Sequence, residues 1–314
     1  MAAIEANKTI VVMGRETTYG AAFTTPTVKI PDMMDYTFGK EQIAVPQKTQ
    51  TLEPKIKTSQ LGRLSPTVTL TGILTASHLE LLVACFGDTA SPYVIGTSDL
   101  AANAAGYSYT IVQAVPASSS DLGDGVVATG CRLETLNLSK NGQYVGYTAT
   151  FRAKTIDDRV DLGSYTLSSI TNTTYPELTP FLFKSVTASL LDAVTLTKLN
   201  TFSLDITNEF ADDDIIFQNT STKIIDPKCG TTATLSVEWI YDTTSDATVY
   251  DNLFSQTTYN DVITLTGSVT WAITTEGQYQ DYSKPDKEKC LYTSSFTKAL
   301  LGDGSNTAIS IAVS

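Results

Sequence analysis

Apolar and polar residues alternate with a period of two along much of the chain, as in β-strands that bury one face. The clearest run spans residues 262–274, and four shorter runs have the same alternation. The pattern predicts a protein made mostly of strands, with one continuous strand over 262–274. The apolar positions of the five runs are Ile263, Leu265, Val269, Trp271 and Ile273; Val145, Tyr147, Ala149 and Phe151; Phe202, Leu204 and Ile206; Leu235, Val237 and Trp239; and Val68 and Leu70.

Asn141-Gly142 is a two-residue sequence that favours the tight turn of a β-hairpin, because both residue types tolerate a positive φ. It lies between two segments that are rich in strand-forming residues. The sequence therefore predicts that residues 131–139 pair with residues 143–153.

Two segments have the 3.6-residue period of an amphipathic helix. The first spans 75–87, with Ser77 as a candidate N-cap and Gly87 as the C-terminal stop. The second spans 243–256 and has a similar pattern. We therefore predict an all-β fold with two short helices. Their apolar faces consist of Leu79, Leu82, Val83 and Phe86 in the first helix, and Val249, Leu253 and Phe254 in the second.

The same order of elements occurs twice along the chain. In each half a strand precedes a long polar insert, which is followed by a strand, one of the helices and a further strand. The equivalent helix ends are Phe86 and Phe254, and the segment between the halves is rich in Ser, Thr and Pro. We predict an internal duplication, with a first domain over 1–163, a linker over 164–177 and a second domain over 178–314. A chance similarity of order is the alternative.

Charge and composition restrict the possible functions. Charged residues make up 17% of the chain, and its formal net charge is −12. A protein that holds nucleic acid by neutralising phosphates needs clustered Lys and Arg, so this class is disfavoured. No segment approaches the roughly 20 apolar residues of a membrane helix, and the first residues lack the regions of a signal peptide. We expect a soluble protein, made in a cytoplasm and without a membrane partner.

The four cysteines, Cys85, Cys131, Cys229 and Cys290, lie outside any CxxC motif, and the single histidine is His78. The ligand spacing of a zinc site is therefore missing. We interpret the cysteines as buried thiols, with a disulfide between distant pairs as the alternative.

The residues suggest no catalytic site. His78 is interpreted as a surface or helix-cap residue, because no nucleophile motif accompanies it. The acidic run 209–217 lacks the alternating acids and glycine of a calcium loop, and it is interpreted as a solvated loop tip. We expect no enzyme activity, no cofactor and no metal.

Several segments, in this order, resemble the tail tube proteins of long-tailed bacteriophages, in the class with two tandem tube domains. The resemblance covers most of the chain and depends on the order of the segments more than on any one motif. The segments are RETTYGAAFTTP (15–26), SHLELLVACFG (77–87), GVVATGCRLETLNLSKNGQYVGYTATFRAKT (125–155), LTKLNTFSLDITNEF (196–210), and VYDNLF (249–254) with the following ITLTGSV (263–269).

The resemblance implies a structural virion protein with two tube domains of β-sandwich or barrel type. Its subunits would form rings that stack into a hollow tube, through which DNA passes without specific binding. Three chains would form a pseudo-sixfold ring, and six chains are the second possibility. The implied partners are other copies of the chain, the tape measure protein in the lumen, and the tail tip or baseplate and terminator proteins. The implied location is the virion tail, assembled in the host cytoplasm.

Three sets of residues are candidates for contacts in such a tube. The hydroxyl-bearing strand faces are candidates for the lumen, with a solvent-facing sheet surface as the alternative. The insert at 39–66 has five basic and two acidic residues, whereas the insert at 207–230 has five acidic and two basic residues. We expect these inserts to meet between rings, with two independent solvated loops as the alternative. The lumen candidates are Thr148, Thr150, Thr264, Thr266, Ser268 and Thr270, and the ring-stacking candidates are Lys55, Lys57, Arg63, Asp212, Asp213 and Asp214.

The segment GRETTYGAAFTTP (14–26) is interpreted as an arm that reaches a neighbouring subunit, with Tyr19 and Phe23 as its anchors. An arm packed on its own domain is the alternative.

Two other functions compete with the tube. One is another β-sandwich structural protein, from a phage baseplate, a capsid decoration or a surface layer. The other is a carbohydrate-active enzyme or binding module, which would need exposed aromatic platforms. Trp239 and Trp271 lie at apolar positions of alternating strands instead, and we expect them in the core.

Overall fold

The structure is a computed structural model of the whole chain, and it is almost entirely β. The residues that it describes are 10–25, 28–29, 33–48, 56–76, 78–87, 90–95, 107–114, 124–165, 180–190, 194–196, 198–210, 228–240, 259–288, 291–300 and 308–314.

The described residues of the first half form nine strands and one α-helix. They are β1 (Ile10–Arg15), β2 (Val28–Lys29), β3 (Met33–Lys48), β4 (Ile56–Ile73), α1 (Leu79–Phe86), β5 (Tyr93–Ile95), β6 (Tyr109–Ala114), β7 (Asp124–Asn141), β8 (Tyr144–Arg152) and β9 (Thr155–Asp161).

The second half contains eight strands among its described residues. They are β10 (Val186–Leu190), β11 (Val194–Leu196), β12 (Leu199–Phe210), β13 (Lys228–Ile240), β14 (Tyr259–Thr266), β15 (Thr270–Glu288), β16 (Leu291–Leu300) and β17 (Ile309–Val313).

As far as the structure describes them, both halves contain two groups of antiparallel strands that share one long strand. In the first half, β3, β4, β8 and β7 pair in that order, and the beginning of β7 also pairs with β6 and β9. In the second half, β12, β13, β16 and β15 pair in the same way, and the beginning of β15 pairs with β14 and β17. The order of pairing therefore recurs, while the duplication inferred from the sequence stays a prediction.

The two halves are joined edge to edge by β7 and β12, which pair antiparallel from Thr135↔Thr207 to Ser139↔Ser203. This pairing makes one sheet of eight strands in the order β3-β4-β8-β7-β12-β13-β16-β15, called the long sheet below. A second connection pairs β5 of the first half with β17 of the second.

The apolar core is continuous across both halves, and it contains the residues that the alternating pattern places inside. The alternating positions on β4, β8, β12 and β13 are all at most 2% exposed. Trp239 and Trp271 are fully buried, as expected. The all-β class and the buried faces of these strands are therefore confirmed.

The hairpin predicted at Asn141-Gly142 is confirmed. β7 and β8 pair from Arg132↔Arg152 to Asn141↔Tyr144, and Gly142 has a φ of 62°. This is the left-handed region, which favours glycine over residues that carry a Cβ.

The prediction of one strand over 262–274 is wrong. β14 and β15 form a hairpin there, with Thr266 opposite Thr270 and a turn at 267–269. Ile263 and Leu265 on one strand and Trp271 and Ile273 on the other are all buried. A three-residue turn keeps odd-numbered residues on the apolar face of both strands, so the alternation continues through a reversal of the chain.

Helix α1 is confirmed within 75–87, but it begins at Leu79. His78 is the residue before the helix, and its side chain makes no capping hydrogen bond. The C-terminal stop is confirmed, because Gly87 has a φ of 82° and its N–H donates to the Val83 carbonyl. The second predicted helix, 243–256, lies outside the described residues.

His78 is buried, at 2% exposure, so a surface position is wrong. Its Nδ1 lies 3.0 Å from the Thr75 backbone nitrogen and 2.9 Å from Thr75 Oγ1. The imidazole also lies against the ring of Tyr147, with centroids 4.6 Å apart. The histidine therefore fixes the turn that leads into α1.

The basic insert is not simply a loop. β3 and β4 continue their pairing from Lys40↔Pro66 out to Lys48↔Ile56, so the insert extends the hairpin. Lys57 and Arg63 belong to β4, and Lys55 lies outside the described residues. The acidic insert begins and ends as paired strand, up to Phe210↔Lys228, and Asp212, Asp213 and Asp214 lie outside the described residues.

Candidate functional site

A row of five threonines crosses the long sheet from one half of the chain to the other. Thr69, Thr150, Thr135, Thr207 and Thr232 lie side by side on β4, β8, β7, β12 and β13. Thr69 Oγ1 and Thr150 Oγ1 are 3.5 Å apart. Threonine pairs opposite one another on neighbouring strands stabilise a sheet and present uncharged hydroxyls on its surface.

A second polar row runs parallel to the first. It consists of Thr71, Thr148, Asn137, Asp205 and Thr234 on the same five strands. Thr148 Oγ1 lies 3.5 Å from Thr71 Oγ1, and Asn137 donates to Asp205 across the seam between the halves. The two rows contain hydroxyls, an amide and one carboxylate, so they offer a phosphate no cationic partner.

The six predicted lumen residues lie in two places. Thr148 and Thr150 belong to the polar rows of the long sheet. Thr264, Thr266, Ser268 and Thr270 lie on the hairpin of β14 and the beginning of β15, which pairs with β10 and β17. Only the later part of β15, from Gly277 onward, pairs with β16 in the long sheet. The six residues that were predicted as one lumen surface therefore belong to two separate surfaces.

Glu16 fixes the segment that follows β1. One of its carboxylate oxygens accepts hydrogen bonds from Gly20 N (2.8 Å) and Ser108 Oγ (2.6 Å). The other accepts from Thr110 Oγ1 (2.9 Å) and Gly130 N (2.8 Å). Glu16 is only 9% exposed, so these four donors replace its solvent.

The ring of Tyr19 contacts two cations of its own chain. The guanidinium of Arg132 is 4.8 Å from the ring centroid and Lys154 Nζ is 5.4 Å from it. Phe23 N donates to Thr110 Oγ1 at 2.8 Å. These are the contacts of a segment packed on its own domain, and a contact of Tyr19 and Phe23 with a neighbouring subunit stays a prediction.

Arg15 and Glu80 form an ion pair between β1 and α1, with 2.8 Å between Arg15 Nη2 and Glu80 Oε1. Tyr109 donates from its hydroxyl to the same oxygen at 3.0 Å. Burial, and then the negative charge of Glu80, raise the pKa of Tyr109 far above its ordinary value of 10.0. The phenol therefore stays neutral and continues to donate.

Replacing Tyr109 by phenylalanine is expected to reduce the loss of stability at alkaline pH. Because the pKa of Tyr109 is higher in the folded chain, its contribution is complete below pH 10 and is lost as the pH rises above that value. The loss is about 1.4 kcal/mol per pH unit for one group. Urea unfolding of both proteins at pH 8, 10 and 11 measures the difference. Parallel declines from pH 10 to pH 11 would contradict the assignment.

A fully buried ion pair joins β14 and β16. Lys298 Nζ lies 2.8 Å from Asp261 Oδ2, and neither side chain is exposed. The ammonium also donates to the carbonyls of Tyr259 (2.6 Å) and Thr275 (3.1 Å), so each of its three hydrogens has an acceptor. The Tyr279 hydroxyl lies 2.8 and 2.9 Å from the two Asp261 carboxylate oxygens.

Asn208 holds the two halves together beside the seam. Its amide nitrogen donates to the carbonyls of Leu133 (3.0 Å) and Cys85 (3.3 Å), both in the first half. Thr231 in turn donates to the Asn208 side-chain oxygen at 3.0 Å. The side chain is buried, at 3% exposure. The contacts with Leu133 and Cys85 fix β12 against β7 and α1, and the contact with Thr231 joins it to β13.

Cys85 and Cys131 are buried free thiols. Burial, and then the charge of Glu16, raise the pKa of Cys131 well above its ordinary value. Among the residues that the structure describes, no three His, Cys, Asp or Glu side chains could hold a metal ion together. In the same part of the chain, no helix is long and apolar enough to span a membrane.

A model of the phage tail tube protein family matches residues 6–313, which is nearly the whole chain and includes all eight strands of the long sheet. This is a family of structural proteins and not of enzymes. A comparison with curated proteins finds no match.

Proposed function

Because the chain belongs to the phage tail tube protein family, we propose that it forms rings that stack into a hollow tail tube, through which DNA leaves the capsid. The observation that carries this proposal is the long sheet, whose hydroxyl rows cross from one half of the chain to the other. A conduit for DNA has to avoid retaining it. Rows of hydroxyls, one amide and one carboxylate, on a protein of net charge −12, have few groups that bind phosphate.

We propose that the polar rows, including Thr148 and Thr150, face the lumen. The opposite face of the long sheet is covered by the core, since Leu136, Leu138 and Leu204 are each at most 1% exposed. A sheet of this kind is stable with one face in water. Closing it into a ring would also remove its exposed edges, at which sheets aggregate.

The number of strands favours three chains in each ring. With strands about 4.8 Å apart and tilted by about 40°, three long sheets would close into a barrel about 50 Å across. Side chains would narrow the channel to about 40 Å, which accommodates one DNA duplex. Six chains would double the barrel to about 100 Å, far wider than a duplex needs. The recurring pairing order of the two halves is consistent with the pseudo-sixfold ring of three chains.

The partners that we propose follow from the place of such a tube in the virion. They are a tape measure protein in the lumen, tail tip or baseplate proteins at one end and a terminator protein at the other. Assembly would take place in the host cytoplasm.

The stacking of rings is proposed to bring the basic insert of one ring against the acidic insert of the next. The triple variant Lys55→Glu, Lys57→Glu, Arg63→Glu is expected to fold normally and to lose tube formation at least tenfold, because it opposes acids to acids. Tube yield is measured by sedimentation and microscopy. The control reverses the exposed Lys184 and Lys198, away from both inserts. Normal tubes from the triple variant would contradict the stacking contact.

Electron microscopy of the concentrated protein tests the proposed function, with and without purified tail tips to start growth. We expect hollow tubes, and image averaging should give threefold rings. Sixfold rings would retain the tube and exclude the three-chain ring. Closed cages, flat sheets or a chain that stays monomeric beside tail tips would contradict the tube.

A further inference from the structure

The long sheet ends in two strand edges, one at β3 and one at β15. Among the described residues, no strand pairs with residues 38–41 of β3 on the side away from β4. In the same part of the structure, no strand pairs with residues 281–284 of β15 on the side away from β16. Within the part of the chain that the structure describes, both backbone edges are therefore open to a further strand.

The two halves of the chain correspond residue by residue around these edges. β7 has a register shift against β8 between Leu133 and Thr135, and β15 has one against β16 between Tyr279 and Asp281. The partners correspond as well, because Phe151 lies opposite Leu133 and Lys298 lies opposite Tyr279. A bulge of this kind bends a strand at a defined point. β15 is therefore the counterpart of β7, with Asp281 equivalent to Thr135.

β3 is likewise the counterpart of β12. Phe38 lies opposite Val68 in the first half, just as Leu204 lies opposite Leu235 in the second. Val68 and Leu235 in turn lie opposite Phe151 and Lys298, the pair equated above. Phe38 is therefore equivalent to Leu204, and residue 41 is equivalent to Thr207.

The seam within the chain joins β7 to β12, and the two unpaired edges belong to their counterparts. We propose that residues 281–284 of β15 pair antiparallel with residues 38–41 of β3 in a second copy of the chain. The register of the internal seam places Asp281 opposite Glu41 and Ser283 opposite Gly39. Pro285 has no N–H to donate and limits the ladder on one side. This inference rests on the proposed ring, and it identifies the surfaces that close it.

A further correspondence in the sequence supports this register. Asn208 ties the internal seam to Leu133 and Cys85 with its side-chain amide. Its counterpart on β3 is residue 42, which is glutamine, also an amide. A similar tie to a backbone carbonyl of the next chain is therefore chemically available at the second seam.

One opposed pair in this register carries like charges, namely Asp281 and Glu41. Like charges directly opposite on neighbouring strands weaken the pairing. Glu41→Gln is therefore expected to lower the protein concentration needed for tubes about two- to fivefold. Asp158→Asn, on the exposed part of β9, is the control and should leave that concentration unchanged. An equal effect of both variants, or none of Glu41→Gln, would contradict the register.

Disulfide trapping in assembled tubes tests the seam directly. In a background with Cys229→Ser and Cys290→Ser, the pair Glu41→Cys with Asp281→Cys should crosslink neighbouring chains on mild oxidation. The control pair is Thr37→Cys with Asp281→Cys. Its cysteines would be offset by four residues, about 14 Å along the strand, which is beyond the reach of a disulfide. On a denaturing gel we expect covalent oligomers from the first pair alone, ending at three chains.

The possible outcomes distinguish a failure of the proposed seam from a failure of the proposed tube. If tubes form but the first cysteine pair does not crosslink, the proposed seam is wrong and the proposed tube is not affected. The same holds if both cysteine pairs crosslink equally. Should the cysteine variants fail to assemble, hydrogen exchange of wild-type tubes gives the same decision. Those amides of 38–41 and 281–284 that point away from β4 and β16 should exchange at least tenfold more slowly in tubes than in the isolated chain. Unchanged exchange of these amides would contradict the seam. Absence of wild-type tubes would instead refute the proposed function.

Discussion

Replacing Lys298 by methionine is expected to lower the free energy of unfolding by about 3 to 5 kcal/mol, because it leaves the Asp261 carboxylate buried without its cation. Neither residue of the pair is exposed to solvent. Methionine fills much of the volume of the lysine stem, so the loss comes from the charge and not from a cavity. Urea unfolding followed by tryptophan fluorescence measures it, since both tryptophans lie in the same half as Lys298.

The control is the double variant Lys298→Met, Asp261→Leu, which removes both charges. It is expected to be more stable than the single Lys298→Met variant, because a buried ion pair is often replaceable by apolar residues of similar volume. If adding Asp261→Leu to Lys298→Met lowers the free energy of unfolding as much as Asp261→Leu does in the wild-type chain, the two residues act independently. The ion pair would then not account for the effect.

Replacing Glu16 by alanine is expected to lower the free energy of unfolding by about 3 kcal/mol. The substitution leaves the N–H groups of Gly20 and Gly130 and the hydroxyls of Ser108 and Thr110 without their common acceptor. It should also release residues 17–25 from the domain surface. Circular dichroism follows the unfolding, because the first half contains no tryptophan, and limited proteolysis measures the release.

Glu16→Gln is the matched variant for this site. It keeps one acceptor oxygen but places an amide NH₂ against two of the donors, so we expect most of the loss to remain. Glu209→Gln, which lies at an exposed position of β12, is the control and should change little. Full stability and unchanged proteolysis of Glu16→Ala would show that the segment is held by other contacts.

The alternation of residues predicted most of the strand faces, because one face of nearly every strand packs on the core. It failed at the turn 267–269, where the chain reverses direction while the buried residues stay at odd-numbered positions. The bulge in β7 has the opposite effect, because it changes which residues are buried within one continuous strand. Buried positions change from odd numbers, such as Leu133, to even numbers, such as Leu136, at the extra residue Glu134. A period read through such a point cannot show which face is inside.

The polar core residues were less accessible to sequence reasoning than the strand faces. Lys298 and Asp261 each stand in the apolar phase of their strands, beside Phe296 and Ile263. Two charges of opposite sign in apolar phases are a signal for a buried pair, although the sequence does not show that β14 and β16 lie close together. Glu16 gave no such signal, since its donors come from three separate segments. The edge-to-edge seam of β7 and β12 likewise depends on contacts between distant parts of the chain.

The seam between β7 and β12 joins two surfaces that are covalently linked, so its effective concentration is set by the connecting chain and does not change on dilution. A seam between separate chains follows mass action. In the proposed ring of three chains, half of the lateral seams would therefore persist at any concentration. Dilution would release whole chains, each with its eight strands still aligned. Reassembly of one ring would need about two encounters, against about five for a ring of six single-domain subunits.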